Sequence, residues 1–336
     1  MTPMPHPFAG LVRKAALVLL LLALAMLFRE TAAAGNVYKW KDESGLWHFS
    51  DDPPPDAATE LLFDASPAPG GGMFWRIEGA GPQPSYLLGT IHSEDERVVN
   101  FSPNVWGIFE SSDSFSMEVL IDAGALLRMS AAMMFLDGRD LPSVAGERLF
   151  GQAVRAMEAY GIPPAAVSKM KPWAVFATLS VPKPKTGMFM DLLLYQTALS
   201  MGKRVYGLET LEEQLAVFDQ MPMADQIALL GLTLEQLPEL PVMFDQLVAT
   251  YMADDLERMT ALSAAYMRRG DPGLTRRFMR RVNFDRNRRM AQRMMPRLAE
   301  GRAFIAVGAL HLAGEGGLLQ LLQASGCRVT HLPIRE

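Results

Sequence analysis

Two histidines occupy matching positions at distant points of the chain. His92 closes the segment Gly89-Thr-Ile-His92, and His311 closes Gly308-Ala-Leu-His311. Each segment follows an apolar run typical of a buried strand, and the chain turns polar or glycine-rich directly afterwards. Imidazole binds metals and acts as a general acid or base near neutral pH. The repeated Gly-x-x-His pattern therefore predicts one site that both histidines share, with Gly89 allowing another backbone to come close.

A carboxylate is expected beside the histidines, because divalent metals at hydrolytic sites usually bind an acidic ligand as well. Glu118 is the first candidate, since it lies in the apolar strand segment 115–119, where a charge without a partner is costly. Glu209 follows the strand segment 205–208 and is the second candidate. Either residue could have a structural role instead, Glu118 facing solvent and Glu209 starting a helix. Glu315, ahead of the last helix, is a weaker candidate for the same reason.

Residues 268–302 form a strongly basic part of the chain, with twelve arginines and three acidic residues. Within them, Arg286 and Asn287 lie in a helical pattern and could hold an oxyanion or a carboxylate. The functional interpretation is a basic wall beside the site. The structural alternative is a solvated helix face.

Other catalytic machinery is absent from the sequence. No His-Glu-x-x-His, Gly-x-Ser-x-Gly or Walker motif occurs, and no Gly-x-Gly-x-x-Gly follows a strand pattern. Cys327 is the single cysteine, which excludes an intramolecular disulfide framework and a cysteine-based zinc cluster. The net charge of −5 argues against nucleic acid as a partner.

The first 34 residues are predicted to be a cleaved signal peptide. Arg13 and Lys14 give a positive start, residues 15–28 are apolar, and Ala32 and Ala34 fit an Ala-x-Ala cleavage site. The apolar run is shorter than the roughly 20 residues that span a membrane, although an uncleaved anchor is the alternative. No other stretch is expected to span a membrane. The protein is therefore predicted to be periplasmic or secreted, and to meet a membrane only through an uncleaved leader.

Residues 35–55 are predicted to form a small β-hairpin module. Two short aromatic strands flank a turn at residues 42–45, where Gly45 allows a positive φ. The pattern resembles a small module common at the N-termini of exported bacterial proteins, whose function is not established. Because a lone hairpin is marginally stable in water, it is expected to dock on the main domain, on an envelope partner or on a second copy. Residues 56–72, rich in proline, alanine and glycine, are predicted to be a linker.

The main domain is predicted to cover residues 73–336. Strand patterns occur at residues 74–77, 86–91, 114–119, 203–208, 303–307 and 328–332. Residues 211 to about 301 are mostly helical in pattern, with breaks near Pro222, Pro238, Pro241 and Gly270. Strands at both ends of a helical middle predict an α/β fold, in which one central mixed sheet carries a large α-helical insertion.

The order and spacing of these motifs resemble the TraB/GumN family, which includes the Tiki metalloproteases and is similar to the erythromycin-esterase and ChaN folds. The matching segments are residues 86–92, Glu118, residues 202–210 with Gln214, residues 285–287 and residues 303–318. The resemblance implies a metal-dependent, peptidase-type site in which His92, His311 and Glu118 act together. It also implies roles for Glu209, Arg286 and Asn287, which match further family positions, while Asp191 fits a looser segment.

These observations predict an exported metal-dependent hydrolase that acts on peptide bonds. A divalent ion, for which manganese, cobalt and zinc are candidates, would be held by His92, His311 and Glu118, and Glu118 would serve as a ligand or as the general base. Glu209, Arg286 and Asn287 complete the predicted catalytic set. Two alternatives stay open: a non-catalytic envelope protein that binds haem, metal or saccharide, and a scaffold that docks through the hairpin.

Overall fold

The computed structural model describes residues 71–335, except 121, 184–185 and 268–269, together with three short strands nearer the N-terminus. The predicted signal peptide lies outside the described residues.

The three N-terminal strands form a small antiparallel sheet. They are β1 (Tyr38–Lys41), β2 (Trp47–Ser50) and β3 (Glu60–Leu61), in the order β2-β1-β3. β1 and β2 pair with Tyr38 opposite Ser50, which is the pairing that a hairpin requires. β3 lies inside the segment predicted to be a linker.

The main domain is built on a six-stranded mixed sheet. Its strands are β4 (Phe74–Glu78), β5 (Ser85–Thr90), β6 (Ser114–Val119), β7 (Arg204–Glu209), β8 (Ala303–Gly308) and β9 (Arg328–Leu332). Their order is β7-β6-β8-β5-β4-β9. The four strands β5, β6, β7 and β8 run parallel, whereas β4 is antiparallel to both of its neighbours. The predicted α/β fold with a central mixed sheet is therefore confirmed.

The central strands carry the core. Every residue of β6 and of β8 is buried, which explains why the sequence of β8 is a continuous apolar run rather than an alternating one. Phe109 packs edge-on against Phe304 of β8, with ring centroids 5.1 Å apart, and against Phe115 of β6, at 5.7 Å. These contacts fix the helix that carries Phe109 against the middle of the sheet.

Helices fill the connections between strands. In the described part of the chain they are α1 (Glu96–Val99), α2 (Pro103–Ser111), α3 (Ala123–Met133), α4 (Leu141–Ala145), α5 (Glu147–Glu158), α6 (Pro164–Lys169), α7 (Pro172–Leu179), α8 (Met190–Ser200), α9 (Leu211–Asp219), α10 (Met223–Gln236), α11 (Leu240–Met252), α12 (Leu256–Met267), α13 (Pro272–Met279), α14 (Asp285–Glu300) and α15 (Leu318–Ala324). Helices α9 to α14 form the predicted insertion between β7 and β8, with breaks at the predicted Pro222, Pro238 and Gly270. Pro241 lies in the first turn of α11 instead, and the break at residues 253–255 was not predicted.

A π-helical turn, Arg280–Phe284, joins α13 to α14 without a break in the backbone path. Such turns are rare and occur mostly within α-helices at functional sites. This one directly precedes Arg286 and Asn287.

One helical stretch is more apolar than the sequence analysis expected. Among the residues that the structure describes, Met223–Met252 is long and apolar enough, by length and composition, to cross a membrane. Its most apolar window has a mean hydropathy of 1.3, and a third of that window is buried. The expectation that no stretch beyond the leader reaches this level was therefore wrong. Leu229 and Leu230 of this stretch are buried in the domain core, where α10 packs against α7.

Candidate functional site

Four parallel strands bring the predicted site residues to one edge of the sheet. His92 follows β5, Glu118 and Glu209 lie near the ends of β6 and β7, and His311 follows β8 in a 3-10 turn, Ala309–His311. The carboxyl ends of neighbouring parallel strands meet at the same edge, where α/β proteins build their sites. β5 and β8 pair directly, so the two Gly-x-x-His turns, whose histidines are 219 positions apart in the sequence, follow adjacent strand ends.

Glu118 is a buried carboxylate with a full set of partners. Its Oε1 accepts a hydrogen bond of 2.7 Å from the backbone N–H of Gly308, which ties β6 to the end of β8. Its Oε2 accepts from Arg286 at 2.6 Å and from Gln214 at 3.3 Å. Burial would raise the pKa of Glu118, but the charge of Arg286 and the Gly308 hydrogen bond hold it at about 2. Glu118 is therefore ionised at neutral pH.

Arg286 connects the two candidate carboxylates. Its Nη2 donates to Oε2 of Glu118 and to Oε2 of Glu209, both at 2.6 Å, and its Nε also donates to Glu209 at 2.8 Å. The other oxygen of Glu209 accepts from Arg289 at 2.9 Å. The two glutamates hold the guanidinium of Arg286 in its charged form and raise its pKa despite burial. Arg286 does hold carboxylates, as the sequence analysis suggested, but they are the protein's own.

The ring of His311 is fixed by a chain of amide hydrogen bonds. Nδ2 of Asn287 donates to Oδ1 of Asn283 at 2.7 Å and to the carbonyl of Gly316 at 2.8 Å. These acceptors leave Oδ1 of Asn287 facing Nδ1 of His311, at 2.6 Å. Nδ1 must therefore be the protonated nitrogen, and Nε2, which lies 3.4 Å from Nη1 of Arg286, carries the lone pair.

The ring of His92 faces a carboxylate instead. Its Nδ1 lies 2.9 Å from Oδ2 of Asp191 in α8, and the other oxygen of Asp191 accepts from Thr90 at 2.6 Å. At this distance Oδ2 is an ion-pair partner of the ring, while among the described residues neither ring nitrogen of His92 has a hydrogen-bond partner. Burial opposes a charge on the ring, but Asp191 and Glu118 outweigh it and raise the pKa of His92 above 6.5.

The glycines of the two motifs allow close contact between β5 and the turn after β8. A Cβ atom at Gly89 would lie 2.9 Å from Cα of Ala309, so any side chain there would collide with backbone. Gly308 pairs with Thr90 and donates its N–H to Glu118. The carbonyl of Gly89 also accepts from the hydroxyl of Tyr251, at 3.0 Å, which ties the insertion to the site.

The remaining candidates divide between the site and the surface. Glu315 is exposed, as its structural alternative predicts. Much of the basic segment 268–302 is occupied by ion pairs with acidic residues of the protein: Arg277 with Asp225, Arg289 with Glu209 and Glu213, Arg293 with Glu213, Arg297 with Glu300, and Arg302 with Asp113. These five arginines are therefore paired within the protein itself.

Comparison with known proteins fits this geometry. A sequence model described as "TraB/PrgY/gumN family" matches residues 73–331, the whole of the sheet and its insertions. The chain belongs to the TraB/PrgY/gumN family. A second model, "Domain of unknown function (DUF4124)", matches residues 19–69 ahead of this TraB-family domain. No solved structure gives a significant match.

Curated relatives of this TraB-family chain include proteins named as metalloproteases. Metalloprotease TIKI1 of Danio rerio is 24% identical over 302 residues, which cover 74% of this chain and 61% of the relative. Metalloprotease TIKI2 of Danio rerio is 22% identical over 318 residues, with coverage of 79% and 61%. An uncharacterized protein of Treponema pallidum is 24% identical over 274 residues, with coverage of 75% and 80%. The TraB-family chain thus spans about three fifths of the length of these TIKI proteins.

The histidines of this TraB-family site fit a divalent metal in type and in orientation. Nδ1 of each faces a side-chain oxygen, from Asp191 or from Asn287, which is how metal-binding histidines are usually held. Nε2 of His92 is buried and has no hydrogen-bond partner among the described residues. Because buried polar atoms in native proteins almost always have a partner, a bound ion is a fitting one for this nitrogen.

The carboxylate fits less directly. Glu118 is ionised, but its oxygens already accept from Arg286 and from Gly308. Within the described ranges, no three His, Cys, Asp or Glu residues lie close enough together to hold an ion. A metal at this site would therefore have to share Glu118 with Arg286.

Proposed function

We propose that this TraB-family protein is an exported metal-dependent hydrolase that cleaves peptide bonds, with a divalent ion held by His92, His311 and Glu118. The observation that carries the proposal is the meeting of the two Gly-x-x-His turns beside a buried ionised glutamate. The pairing of β5 with β8 and the close approach of Gly89 to Ala309 support a single site for the two histidines. The relatives named as metalloproteases support the choice of chemistry.

Each residue has a distinct part in this proposal. A bound divalent ion would lower the pKa of a water molecule and polarise a carbonyl group. Because Glu118 is ionised, it cannot donate a proton at neutral pH, and its carboxylate suits a ligand better than a base. The guanidinium of Arg286 supplies a fixed positive charge, 3.4 Å from Nε2 of His311, where an oxyanion can be stabilised. Glu209 orients Arg286, and Asn287 orients His311.

The test compares three histidine variants. His92→Ala and His311→Ala are expected to lose bound metal, measured by elemental analysis, and hydrolysis of a fluorogenic peptide library. His331→Ala is the matched control, because His331 lies on the edge strand β9, partly exposed, and pairs with Asp254 rather than with the site. It should retain both properties.

Chelation supplies an independent arm of the same test. Wild-type protein should lose peptide hydrolysis in chelator and regain it when manganese, cobalt or zinc is added. Unchanged metal content and activity in both His92→Ala and His311→Ala would refute the proposal.

A non-catalytic binding protein is the second candidate. It is favoured by the ion pairs of Glu118 and Glu209 with Arg286, and by the absence, among the described residues, of three His, Cys, Asp or Glu side chains close enough to hold an ion. Binding of metal, haem or a saccharide without hydrolysis of any peptide would support this candidate and exclude the enzyme.

Export is part of the proposal and rests on the leader of the sequence. Arg13, Lys14 and the apolar residues 15–28 support it. N-terminal sequencing of protein recovered from cells should find a chain that begins at Gly35. A retained Met1 would contradict cleavage.

Deleting residues 36–55 should abolish any complex with an envelope partner or second copy while leaving peptide hydrolysis intact.

A further inference from the structure

His92 has a buried neighbour whose role the motifs do not explain. Asp191 stands in the first turn of α8, and it is 6% exposed, an environment in which a carboxylate needs partners. Oδ1 has one, the hydroxyl of Thr90, at 2.6 Å. Oδ2 has no hydrogen-bond partner among the described residues, and the atom facing it is Nδ1 of His92, 2.9 Å away.

Thr90 orients the carboxylate of Asp191 towards His92. It lies two residues before the histidine, at the end of β5, and its side chain is fully buried. Its hydroxyl fixes one oxygen of Asp191 and leaves the other to face the imidazole. Thr90, Asp191 and His92 are therefore held side by side, with Nδ1 of the ring 2.9 Å from Oδ2. Hydrogen bonds of this kind often align fully only when the ligand is bound.

The second histidine is held in a parallel way. Oδ1 of Asn287, in the first turn of α14, faces Nδ1 of His311 at 2.6 Å. Two different helices thus present an oxygen to the same ring nitrogen of the two motif histidines. They differ in charge, since Asp191 offers a carboxylate and Asn287 an amide. This repetition at unrelated places in the chain argues for a shared purpose, to keep both Nε2 atoms as lone-pair donors.

We propose that Asp191 is a positioning residue for His92: it accepts the Nδ1–H of the ring and so keeps the Nε2 lone pair turned to the metal. The inference rests on the proposed function for its purpose, but the arrangement of the ring can be tested without metal. Partners of this kind typically change metal affinity by about 10- to 100-fold when they are removed.

The experiment measures two properties of the purified full chain. Zinc affinity is measured by competition with a chromophoric chelator. The tautomer of His92 is read at one fixed pH by nitrogen-15 NMR of histidine-labelled protein, with the signal assigned by its loss in His92→Gln. Asp191→Ala should bind zinc about 10- to 100-fold more weakly and lose the preference for protonated Nδ1. Asp191→Asn should be intermediate, because an amide oxygen can replace the carboxylate as it does beside His311.

The control and the second variant separate positioning from damage to the fold. Asp225→Asn makes the same chemical change in a carboxylate of α10 that pairs with exposed Arg277, and it should leave zinc affinity and the His92 tautomer as they are. Thr90→Val removes the hydrogen bond to Asp191 but keeps the carboxylate, so its effect should be smaller than that of Asp191→Ala. It also keeps the test available if Asp191→Ala does not fold.

The outcomes distinguish this inference from the proposed function. If Asp191→Ala binds zinc within twofold of wild type and keeps the wild-type tautomer, Asp191 does not position His92. If wild-type protein binds no zinc and, in the same competition, no manganese or cobalt, the proposed metal function fails. The NMR measurement then decides alone: an altered tautomer in Asp191→Ala supports the positioning role, and an unaltered one overturns it.

Discussion

Replacing Arg286 with methionine should destabilise the domain more than any comparable change on the same helical run. The substitution keeps much of the side-chain volume but leaves Glu118 and Glu209 without the guanidinium that both contact at 2.6 Å. Removing one partner of a buried ion pair costs about 3–5 kcal/mol. Because Glu209 keeps its contact with Arg289, most of the loss falls on Glu118.

The pKa of Glu118 gives a second route to the same magnitude. Its lowering from 4.5 to about 2 corresponds to roughly 3 kcal/mol in favour of the ionised folded form. For a domain of this size, a loss of 3–5 kcal/mol lowers the melting temperature by roughly 6–20 °C.

The sign of the pH dependence follows from the same shift. Since the folded-state pKa of Glu118 lies below its unfolded value, ionised Glu118 stabilises the fold above about pH 4.5, and this contribution is lost as the pH falls towards 2. In Arg286→Met the carboxylate is a buried charge without its main partner. The deficit should therefore be largest at pH 7 and shrink at pH 4, where Glu118 of the variant can bind a proton.

Urea unfolding followed by circular dichroism, at pH 7 and pH 4 and in the presence of chelator, measures this difference. Arg277→Met is the matched control, because Arg277 lies in α13 and its ion pair with Asp225 is exposed, so water can replace the lost contact. Equal destabilisation of the two variants, or a deficit in Arg286→Met that is the same at both pH values, would refute the reasoning.

Two further variants test the close packing and the amide chain of the site. Gly89→Ala should destabilise the domain by about 1–3 kcal/mol, because the new Cβ would lie 2.9 Å from Cα of Ala309. It should also reduce bound metal, so thermal melting is measured together with metal content by elemental analysis. An unchanged melting temperature would contradict the close approach. Asn287→Ala should lower the free energy of unfolding by about 1–3 kcal/mol, because it removes the hydrogen-bond partner of Nδ1 of His311 and of the Gly316 carbonyl. Urea unfolding measures this loss. Nitrogen-15 NMR should show a mixture of His311 tautomers in the variant and a single tautomer in wild type.

The strand-end residues could be predicted because they obey a rule that needs no knowledge of the fold. His92, Glu118, Glu209 and His311 each follow or end an apolar strand pattern, and parallel strands collect their carboxyl ends at one edge. The β4–β5 hairpin could be predicted as readily, since its two strands are neighbours in the sequence.

What pairs with these residues could not be predicted in the same way. Asp191 faces His92 only because α8 packs beside β6 and β7, a contact that no local pattern specifies. The ion pairs of the basic segment could not be predicted for a similar reason, since partners such as Asp225 and Glu213 come from other helices.

The helix that carries Arg286 and Asn287 shows a third limit. Helical spacing alone did not decide whether Arg286 and Asn287 lie on an exposed or on a buried face of the helix. The π-helical turn just before them, which the sequence did not reveal, goes with a buried face that also includes Asn283.

The place of β8 in the sheet sets the time at which the site can exist. This strand lies between β5 and β6, yet it begins 213 positions after the end of β5 and 184 after the end of β6, behind the whole helical insertion. Until it arrives, β5 and β6 have no common neighbour, His311 has not been synthesised, and Oε1 of Glu118 lacks the Gly308 N–H. Pairing across such a sequence distance is slow, because a long loop must close first. A nascent or truncated chain that stops before residue 303 therefore lacks β8 and His311, and the proposed site is complete only when this last part of the sheet has formed.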